Sequence, residues 1–192
     1  MIQQHKDMSK ASTGFWIYLM TDCVLFASLF ATYAVLKNGV WDGPSGAEIF
    51  NLPYVWVMTI LLLSSSFTCG LALLAAKNKN RLRTLWLLVL TGTFGFSFLG
   101  MEFFEFFTLI NEGNGWQRSG FLSAFFVLVG MHGLHITAGL IWLVYLMCRI
   151  GMRGFTDQSM RRLSLFGYFW HFLDIIWIFI FTIVYLMGVG NI

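Results

Sequence analysis

Charged residues are scarce in this sequence of 192 residues, and their scarcity decides its class. Asp, Glu, Lys and Arg make up 11% of the chain and apolar residues 58%, whereas about a quarter of a typical soluble domain is charged. A soluble fold of this size could not hide so much apolar surface from water. The composition therefore excludes an ordinary soluble globular protein and indicates one that is dissolved in lipid.

Proline and cysteine are also rare. The two prolines, Pro44 and Pro53, fall outside the long apolar runs, so no membrane helix is expected to be broken by proline. The three cysteines, Cys23, Cys69 and Cys148, lie inside those runs and form no C-x-x-C or C-x-x-C-H pattern. We therefore expect small buried residues rather than disulfides or a covalent haem site. The alternating pattern of membrane strands is missing as well, which excludes a β-barrel.

Five apolar runs dominate what the sequence does contain. Each is long enough to cross the hydrocarbon core of a bilayer as a helix, which takes about 20 residues. The predicted helices cover about 14–36, 54–76, 85–110, 119–148 and 166–189. The longest connections, 37–53 and 149–165, leave no room for a separate domain. The prediction is an all-α integral membrane protein, with residues 1–192 forming a single membrane domain of five transmembrane helices.

Positive charge predicts the orientation of these helices. Only Lys37 and Arg118 lie on one side of the membrane, and the other ten basic residues share the opposite side: Lys6, Lys10, Lys77, Lys79, Arg81, Arg83, Arg149, Arg153, Arg161 and Arg162. Basic loops stay in the cytoplasm, so the N-terminus is predicted to be cytoplasmic and the C-terminus periplasmic. The eight basic residues from Lys77 onward are also candidates for binding anionic lipid head groups.

Ionisable residues within the predicted helices need an explanation, because charge is costly in hydrocarbon. Six of them form three pairs at i,i+3 spacing, which places both members of a pair on one helix face, and a seventh stands alone. These candidate site residues are Asp22, Glu102, Glu105, His132, His135, His171 and Asp174. We expect their faces to point into the bundle or at a partner subunit.

The depth of these groups follows from counting about 1.5 Å per residue from each predicted helix end. Asp22, His171 and Asp174 fall in one layer in the inner third of the membrane, and the glutamate pair falls near the outer end of the third helix. His132 and His135 fall near the middle of the fourth helix. Three separate layers are therefore predicted, with Asp22 and His171 as a direct pair.

Three kinds of chemistry remain open for these groups. Two histidines with nearby carboxylates are plausible ligands for a metal or a haem, although the Glu-x-x-His pattern of di-iron bundles is absent. Chains of Asp, Glu and His also serve as proton relays. The third interpretation is a set of buried hydrogen-bonded pairs that hold helices in register and anchor a partner, and the residues favour it.

Aromatic residues are abundant. Several lie near the ends of predicted helices, where their rings favour the membrane interface: Trp16, Tyr54, Trp56, Trp86, Trp116 and Trp170. Others form apolar walls suited to acyl chains: Phe103, Phe104, Phe106, Phe107, Phe125 and Phe126. A groove that binds lipid is therefore a further hypothesis.

Three motifs occur in order on successive predicted helices: Glu102-Phe-Phe-Glu105, Gly130-Met-His-Gly-Leu-His135 and Phe169-Trp-His-Phe-Leu-Asp-Ile-Ile-Trp177. They resemble the hallmark motifs of subunit III of haem–copper terminal oxidases. The stretches 14–26 and 118–126 look most similar to the cytochrome bo-type ubiquinol oxidase branch of that family. The resemblance extends from about Gly14 to Gly188.

The resemblance implies an accessory, non-redox subunit III of a proton-pumping ubiquinol oxidase in the bacterial inner membrane. Such a subunit binds no haem, copper or other metal of its own, stabilises subunit I and holds phospholipid in a cleft. Oxygen would be reduced to water at the haem and copper of subunit I, the main partner, with subunits II and IV completing the complex. Asp22 stands where the family usually has Glu, and the two first helices of the seven-helix form are missing.

Two alternatives differ in function. Within the same family, the electron donor could be cytochrome c instead of quinol. From another class, a small proton-coupled transporter could use the same buried ionisable residues. Transporters usually contain internal repeats and helices broken near the midplane, and the sequence contains neither a repeat nor a proline within the predicted helices.

Overall fold

A computed structural model describes residues 2–37, 39 and 46–189, with side chains described from residue 12 onward except at 47 and 48. Its helices are α1 (Ile2–Leu36), α2 (Gly46–Ile49), α3 (Leu52–Lys77), α4 (Arg81–Asn111), α5 (Gly120–Arg153) and α6 (Asp157–Ile180), followed by a π-helical segment (Phe181–Leu186) and α7 (Met187–Val189). Five of these helices, the last continued by the π-helical segment, are long and apolar enough to cross a membrane. The predicted all-α fold with five helices able to span a membrane is therefore confirmed. The side chains of Lys6 and Lys10, and all of Pro44, lie outside the described residues.

The connection between the last two long helices is much shorter than predicted. Helix α5 continues to Arg153 and α6 already begins at Asp157. Gly154 ends α5 with φ at +68°, a conformation that glycine adopts without strain. Thr156 then caps α6, because its side chain accepts a hydrogen bond from the backbone N–H of Ser159 at 3.2 Å. Both helices therefore continue through the polar residues at which the sequence prediction ended them.

Four of the long helices form the centre of the bundle. Helices α3 and α4 pack along their length, and α4, α5 and α6 follow in sequence, with α6 returning to α3. Helix α1 lies outside this ring and packs mainly on α5, with a smaller contact to α6. Which helices are neighbours determines which polar residues can meet.

Trp170 fills the middle of the bundle. Its indole N–H donates to the Ser65 hydroxyl at 3.0 Å, and its ring lies against Gly95 of α4 and Gly139 of α5. A Cβ atom at Gly139 would stand 2.7 Å from this ring, so the absence of a side chain there makes the packing possible. The prediction that Trp170 lies at the interface is wrong, because α6 starts well before it.

The cysteines differ from one another in burial. Cys69 is buried as predicted, but Cys23 and Cys148 are exposed on the outer surface of the bundle. The expectation of burial was therefore wrong for these two residues. All three are free thiols.

Candidate functional site

Asp22 and His135 form a buried pair between α1 and α5. The Nε2 atom of His135 lies 3.6 Å from an Asp22 carboxylate oxygen, and its Nδ1 atom lies 2.8 Å from the Met131 carbonyl. A carbonyl can only accept, so Nδ1 carries a hydrogen. Nε2 is then the ring nitrogen that faces the Asp22 carboxyl group.

His171 has different partners from the one predicted. Its Nδ1 atom lies 2.5 Å from the Ser66 hydroxyl and 3.9 Å from a carboxylate oxygen of Asp174. Among the described residues, no ion pair joins Asp22 to His171, so the predicted direct pair is wrong. The physical reason is that α1 packs mainly on α5 and meets α6 less.

Glu102 lies against the backbone of Gly133, between the two histidines of α5. A Cβ atom at position 133 would stand only 2.3 Å from the Glu102 Oε1 atom. The glutamate and histidine groups of α4 and α5 therefore meet at one level of the membrane. The prediction of three separate layers is therefore wrong for the glutamate and histidine groups. Helices α4 and α5 are shifted along their axes relative to the positions that were predicted from the sequence.

His132 is enclosed by aromatic rings. Its ring lies 5.3 Å from that of Trp177 at an interplanar angle of 31°, and Phe98 approaches edge-on at 5.9 Å. Neither ring nitrogen has a hydrogen-bond partner among the described residues. Within that part of the chain, no group of three or more His, Cys, Asp and Glu side chains could hold a metal ion.

Glu105 receives a hydrogen bond that the sequence did not predict. The Tyr185 hydroxyl donates to its Oε2 atom at 2.9 Å, and Tyr185 lies in the π-helical segment. In the same segment, the carbonyl of Val184 accepts a hydrogen bond from Tyr33 of α1 at 3.4 Å. A π-helical turn disrupts the regular backbone ladder, and here it accompanies tyrosine contacts with two other helices.

Hydroxyl residues of α3 supply further partners that sequence reasoning missed. Besides Ser66, the hydroxyl of Thr59 accepts from the indole N–H of Trp177 at 3.1 Å. The only signal in the sequence is that these are polar residues in an apolar helix, and this signal does not identify their partners. Each polar contact joins two different helices, so together they hold the bundle in register.

The predicted basic residues gather at one end of the bundle. Arg81 donates to the carbonyl of Gly151, so the α3–α4 and α5–α6 connections lie side by side. Lys77, Lys79 and Arg83 are exposed around the first connection, and Arg153, Arg161 and Arg162 lie around the second. Among the side chains that the structure describes, no Lys or Arg forms an ion pair with an Asp or Glu.

Two arginines of the second connection converge on one phenol. Arg149 donates to the Tyr145 hydroxyl at 3.1 Å and to the Gln158 side-chain carbonyl at 2.6 Å. Arg162 donates to the same hydroxyl. Two guanidinium groups without a carboxylate between them leave a concentrated positive charge at this membrane surface.

Known proteins share the sequence that builds this arrangement. Residues 4–189 match the family described as cytochrome c oxidase subunit III. The chain belongs to this family. Its members are accessory subunits of haem–copper oxidases, so the resemblance inferred from the three motifs is confirmed.

Individual members of the subunit III family are similar over nearly the whole chain. The cytochrome bo(3) ubiquinol oxidase subunit 3 of Pseudomonas aeruginosa is 57% identical, over 91% of this chain and 84% of its own length. The protein of the same name from Buchnera aphidicola is 47% identical, over 94% and 93%. The cytochrome c oxidase subunit 3 of Bacillus sp. PS3 is 44% identical, over 91% and 84%.

Proposed function

We propose that this chain is the accessory subunit III of a proton-pumping ubiquinol oxidase in a bacterial inner membrane. The observation that carries the proposal is the 57% identity to a ubiquinol oxidase subunit 3 over 91% of the chain. In this complex oxygen is reduced to water at the haem and copper of subunit I. The chain itself supplies no redox centre, and its buried polar pairs are structural.

Cytochrome c is the second candidate electron donor for the complex. The relative from Bacillus sp. PS3 is named a cytochrome c oxidase subunit and is 44% identical. The higher identity to the ubiquinol oxidase subunits of Pseudomonas and Buchnera favours the quinol. Membership of the subunit III family displaces the transporter alternative.

The orientation in this proposal has the N-terminus in the cytoplasm and the C-terminus in the periplasm. It is supported by the contact between Arg81 and Gly151, which brings the two strongly basic connections together. Clusters of Lys and Arg are retained on the cytoplasmic side of a membrane. The opposite side has Arg118 next to α5, hydrogen-bonded to Asn114.

Subunit I is the main partner in this proposal, and His171 supports a contact surface for it. The His171 side chain is 45% exposed, although the residue lies in the apolar part of α6, about 14 Å beyond Arg162 when counted at 1.5 Å per residue. Ionisable groups at such depth almost always face protein rather than lipid. We expect a helix of subunit I to cover this α3–α6 surface and to offer a hydrogen-bonding group to Nε2. Subunits II and IV complete the proposed complex.

Purification of a tagged chain from membranes in mild detergent tests the assignment as an oxidase subunit and the contact of His171 with subunit I. We expect haem bands, larger subunits and quinol-driven oxygen consumption to accompany the chain. The His171→Leu variant should lose about 1–2 kcal/mol of association free energy, which lowers its retention in the complex about five- to thirtyfold. Ile175→Leu, one turn further along α6 and also exposed, is the matched control and should be retained like the wild type.

The outcomes separate the two proposals. A chain that purifies colourless and alone would contradict the assignment as an oxidase subunit. Equal retention of the His171→Leu and Ile175→Leu variants would leave that assignment intact and contradict the contact at His171.

Phospholipid binding is also part of the proposed function. Arg149 and Arg162 meet at Tyr145 without a neutralising carboxylate, and guanidinium groups bind phosphate strongly. The remaining predicted basic residues lie in or next to the α3–α4 and α5–α6 connections, which the contact between Arg81 and Gly151 brings side by side. We expect an anionic phospholipid head group to occupy the site formed by Arg149 and Arg162.

Phospholipid retained by the purified complex measures this binding. The double variant Arg149→Gln/Arg162→Gln should retain about one anionic phospholipid fewer per complex, because two charge-assisted hydrogen bonds are lost. Arg118→Gln is the control, since Arg118 lies outside the two basic connections and donates to the Asn114 side chain instead. An equal lipid content in all three proteins would refute the proposed site.

A further inference from the structure

A cleft between α4 and α5 is not used by any function described so far. It encloses about 220 Å³ and is lined by residues of both helices, among them Glu102, Gly130, Gly133 and Thr137. Phe103 and Leu134 also line it and are 63% and 64% exposed on the outer surface of the bundle. The cleft therefore opens towards the hydrocarbon of the bilayer.

Glu102 is the one buried carboxyl group of the described bundle without a partner. It is 3% exposed, and no described hydrogen bond or ion pair reaches either of its oxygens. The other three have partners: Glu105 accepts from Tyr185, Asp174 lies beside His171 and Asp22 beside His135. Buried polar groups are almost always satisfied, and a lone carboxyl group within a membrane is a sign of function.

The glycines of α5 make room for the Glu102 carboxyl group and for the Phe106 ring at the wall of the cleft. A side chain at Gly133 would collide with the Glu102 oxygens, and a Cβ at Gly130 would already touch Phe106 at 3.6 Å. The Thr137 hydroxyl donates its hydrogen to the Gly133 carbonyl at 2.8 Å. Its oxygen therefore remains only as an acceptor. A ligand with hydroxyl hydrogens of its own can therefore pair with Thr137 as well as with Glu102.

We propose that this cleft binds the ring of a membrane-dissolved quinol, with a quinol hydroxyl donating to Glu102. A cavity of about 150 Å³ already holds benzene, so this one accommodates a substituted single ring. Phe103 and Phe106 offer aromatic walls, and the opening beside Leu134 lets an apolar tail extend into the bilayer. The inference rests on the proposed function, which supplies a quinol as the substrate of the complex. The site holds quinol in reserve and transfers no electrons.

The chemistry of the cleft argues against other membrane ligands. A phospholipid head group would place its phosphate beside a carboxyl group, and no Lys or Arg lines the cleft. A plain acyl chain would fill the apolar part and leave Glu102 without a hydrogen-bond donor. A quinol combines both requirements, since it has a flat apolar ring and two hydroxyl donors.

The test uses the whole oxidase complex in membranes and a photoreactive azido-ubiquinol with a ten-carbon tail. Irradiation without oxygen keeps the probe reduced, and mass spectrometry locates the label. We expect labelled peptides from α4 and α5, and competition by unlabelled decyl-ubiquinol. The oxidised quinone form of the probe should label these peptides at least about fivefold less, because a quinone has no hydroxyl hydrogen to donate to the Thr137 oxygen and loses that hydrogen bond.

Two matched variants test the position of the site. Leu134→Trp places a large side chain at the mouth of the cleft and should lower labelling of α4 and α5 about tenfold. Ile141→Trp makes the same chemical change two turns further along the same face of α5, where the side chain is 68% exposed, and should leave labelling unchanged. Haem content and quinol-driven oxygen consumption are measured on the same samples.

Several outcomes would overturn the inference. The first two are the absence of label on α4 and α5, and equal labelling by the quinol and quinone forms of the probe. The third is displacement of the probe by a decylbenzene without hydroxyl groups. The fourth is an equal effect of the two tryptophan variants on labelling. A cleft filled only by water would give the first of these results. If one of these results is found in samples that still contain haem and consume oxygen, only the proposed quinol site is contradicted. If the wild-type complex contains no haem and consumes no oxygen, the proposed function itself is contradicted.

Discussion

Trp170→Ala is expected to destabilise the folded chain by about 3 kcal/mol. The residue is almost completely buried, and its removal leaves a cavity bordered by Gly95 and Gly139, which have no side chains to fill it. In soluble proteins, Trp to Ala substitutions in the core cost about 3–5 kcal/mol. The lower value applies here, because the hydrophobic effect does not drive helices together in lipid and mainly the packing contacts are lost.

The polar part of the Trp170 site should contribute little to this loss. Ser65, which accepts from the indole, also donates to the Thr91 carbonyl at 3.0 Å, so its hydroxyl hydrogen stays paired in the variant. The measurement is the temperature at which half of the chain is lost from the purified complex in mild detergent. Trp86→Ala is the control, since Trp86 is 68% exposed on α4. Equal shifts for both variants would show that the predicted packing role of Trp170 is wrong.

Tyr185→Phe is expected to cost about 1–2 kcal/mol, because Glu105 is left without its hydrogen-bond donor. The effect should not add to that of Glu105→Leu. When both partners become apolar, no buried polar group is left unsatisfied, and such double replacements are close to neutral. The double variant Glu105→Leu/Tyr185→Phe should therefore be more stable than the sum of the single effects predicts.

The same thermal measurement completes this double-mutant cycle. Tyr168→Phe is the matched control, because Tyr168 also lies in the last long helix but is exposed and has no described hydrogen bond. This variant should hardly change the temperature at which half of the chain is lost from the complex. Strictly additive effects of the two single variants would mean that the hydrogen bond between Tyr185 and Glu105 contributes nothing to stability.

The contacts among the buried ionisable residues could not be derived from the sequence. Depths counted from predicted helix ends inherit the error of those ends, and α6 begins nine residues earlier than predicted. That error alone amounts to about 14 Å along a helix. It moved Trp170 from the expected interface into the core. Even correct depths could not have paired Asp22 with His135, because a depth does not say which helices are neighbours.

The π-helical segment and the cleft beside Glu102 could not be predicted from the sequence either. Nothing in the apolar run 181–186 distinguishes it from the α-helix before it, and its geometry accompanies contacts of Tyr185 and Val184 with other helices. Glu102 was recognised as an unusual residue from the sequence, but its isolation was not. A carboxyl group without a partner is identified only when every neighbouring side chain is known.

Reading the amino-acid sequence alone is enough to predict five helices able to cross a membrane and to assign the chain to the subunit III family. The length and apolar character of each run decide whether a helix crosses a bilayer, and three ordered motifs point to the family. In contrast, the contact between Asp22 and His135, the central position of Trp170 and the isolation of Glu102 beside Gly133 become visible only in the packed bundle. The reason is physical: the bilayer selects apolar helices one at a time, whereas polar pairs and clefts depend on which helices pack together and on their relative shift and rotation.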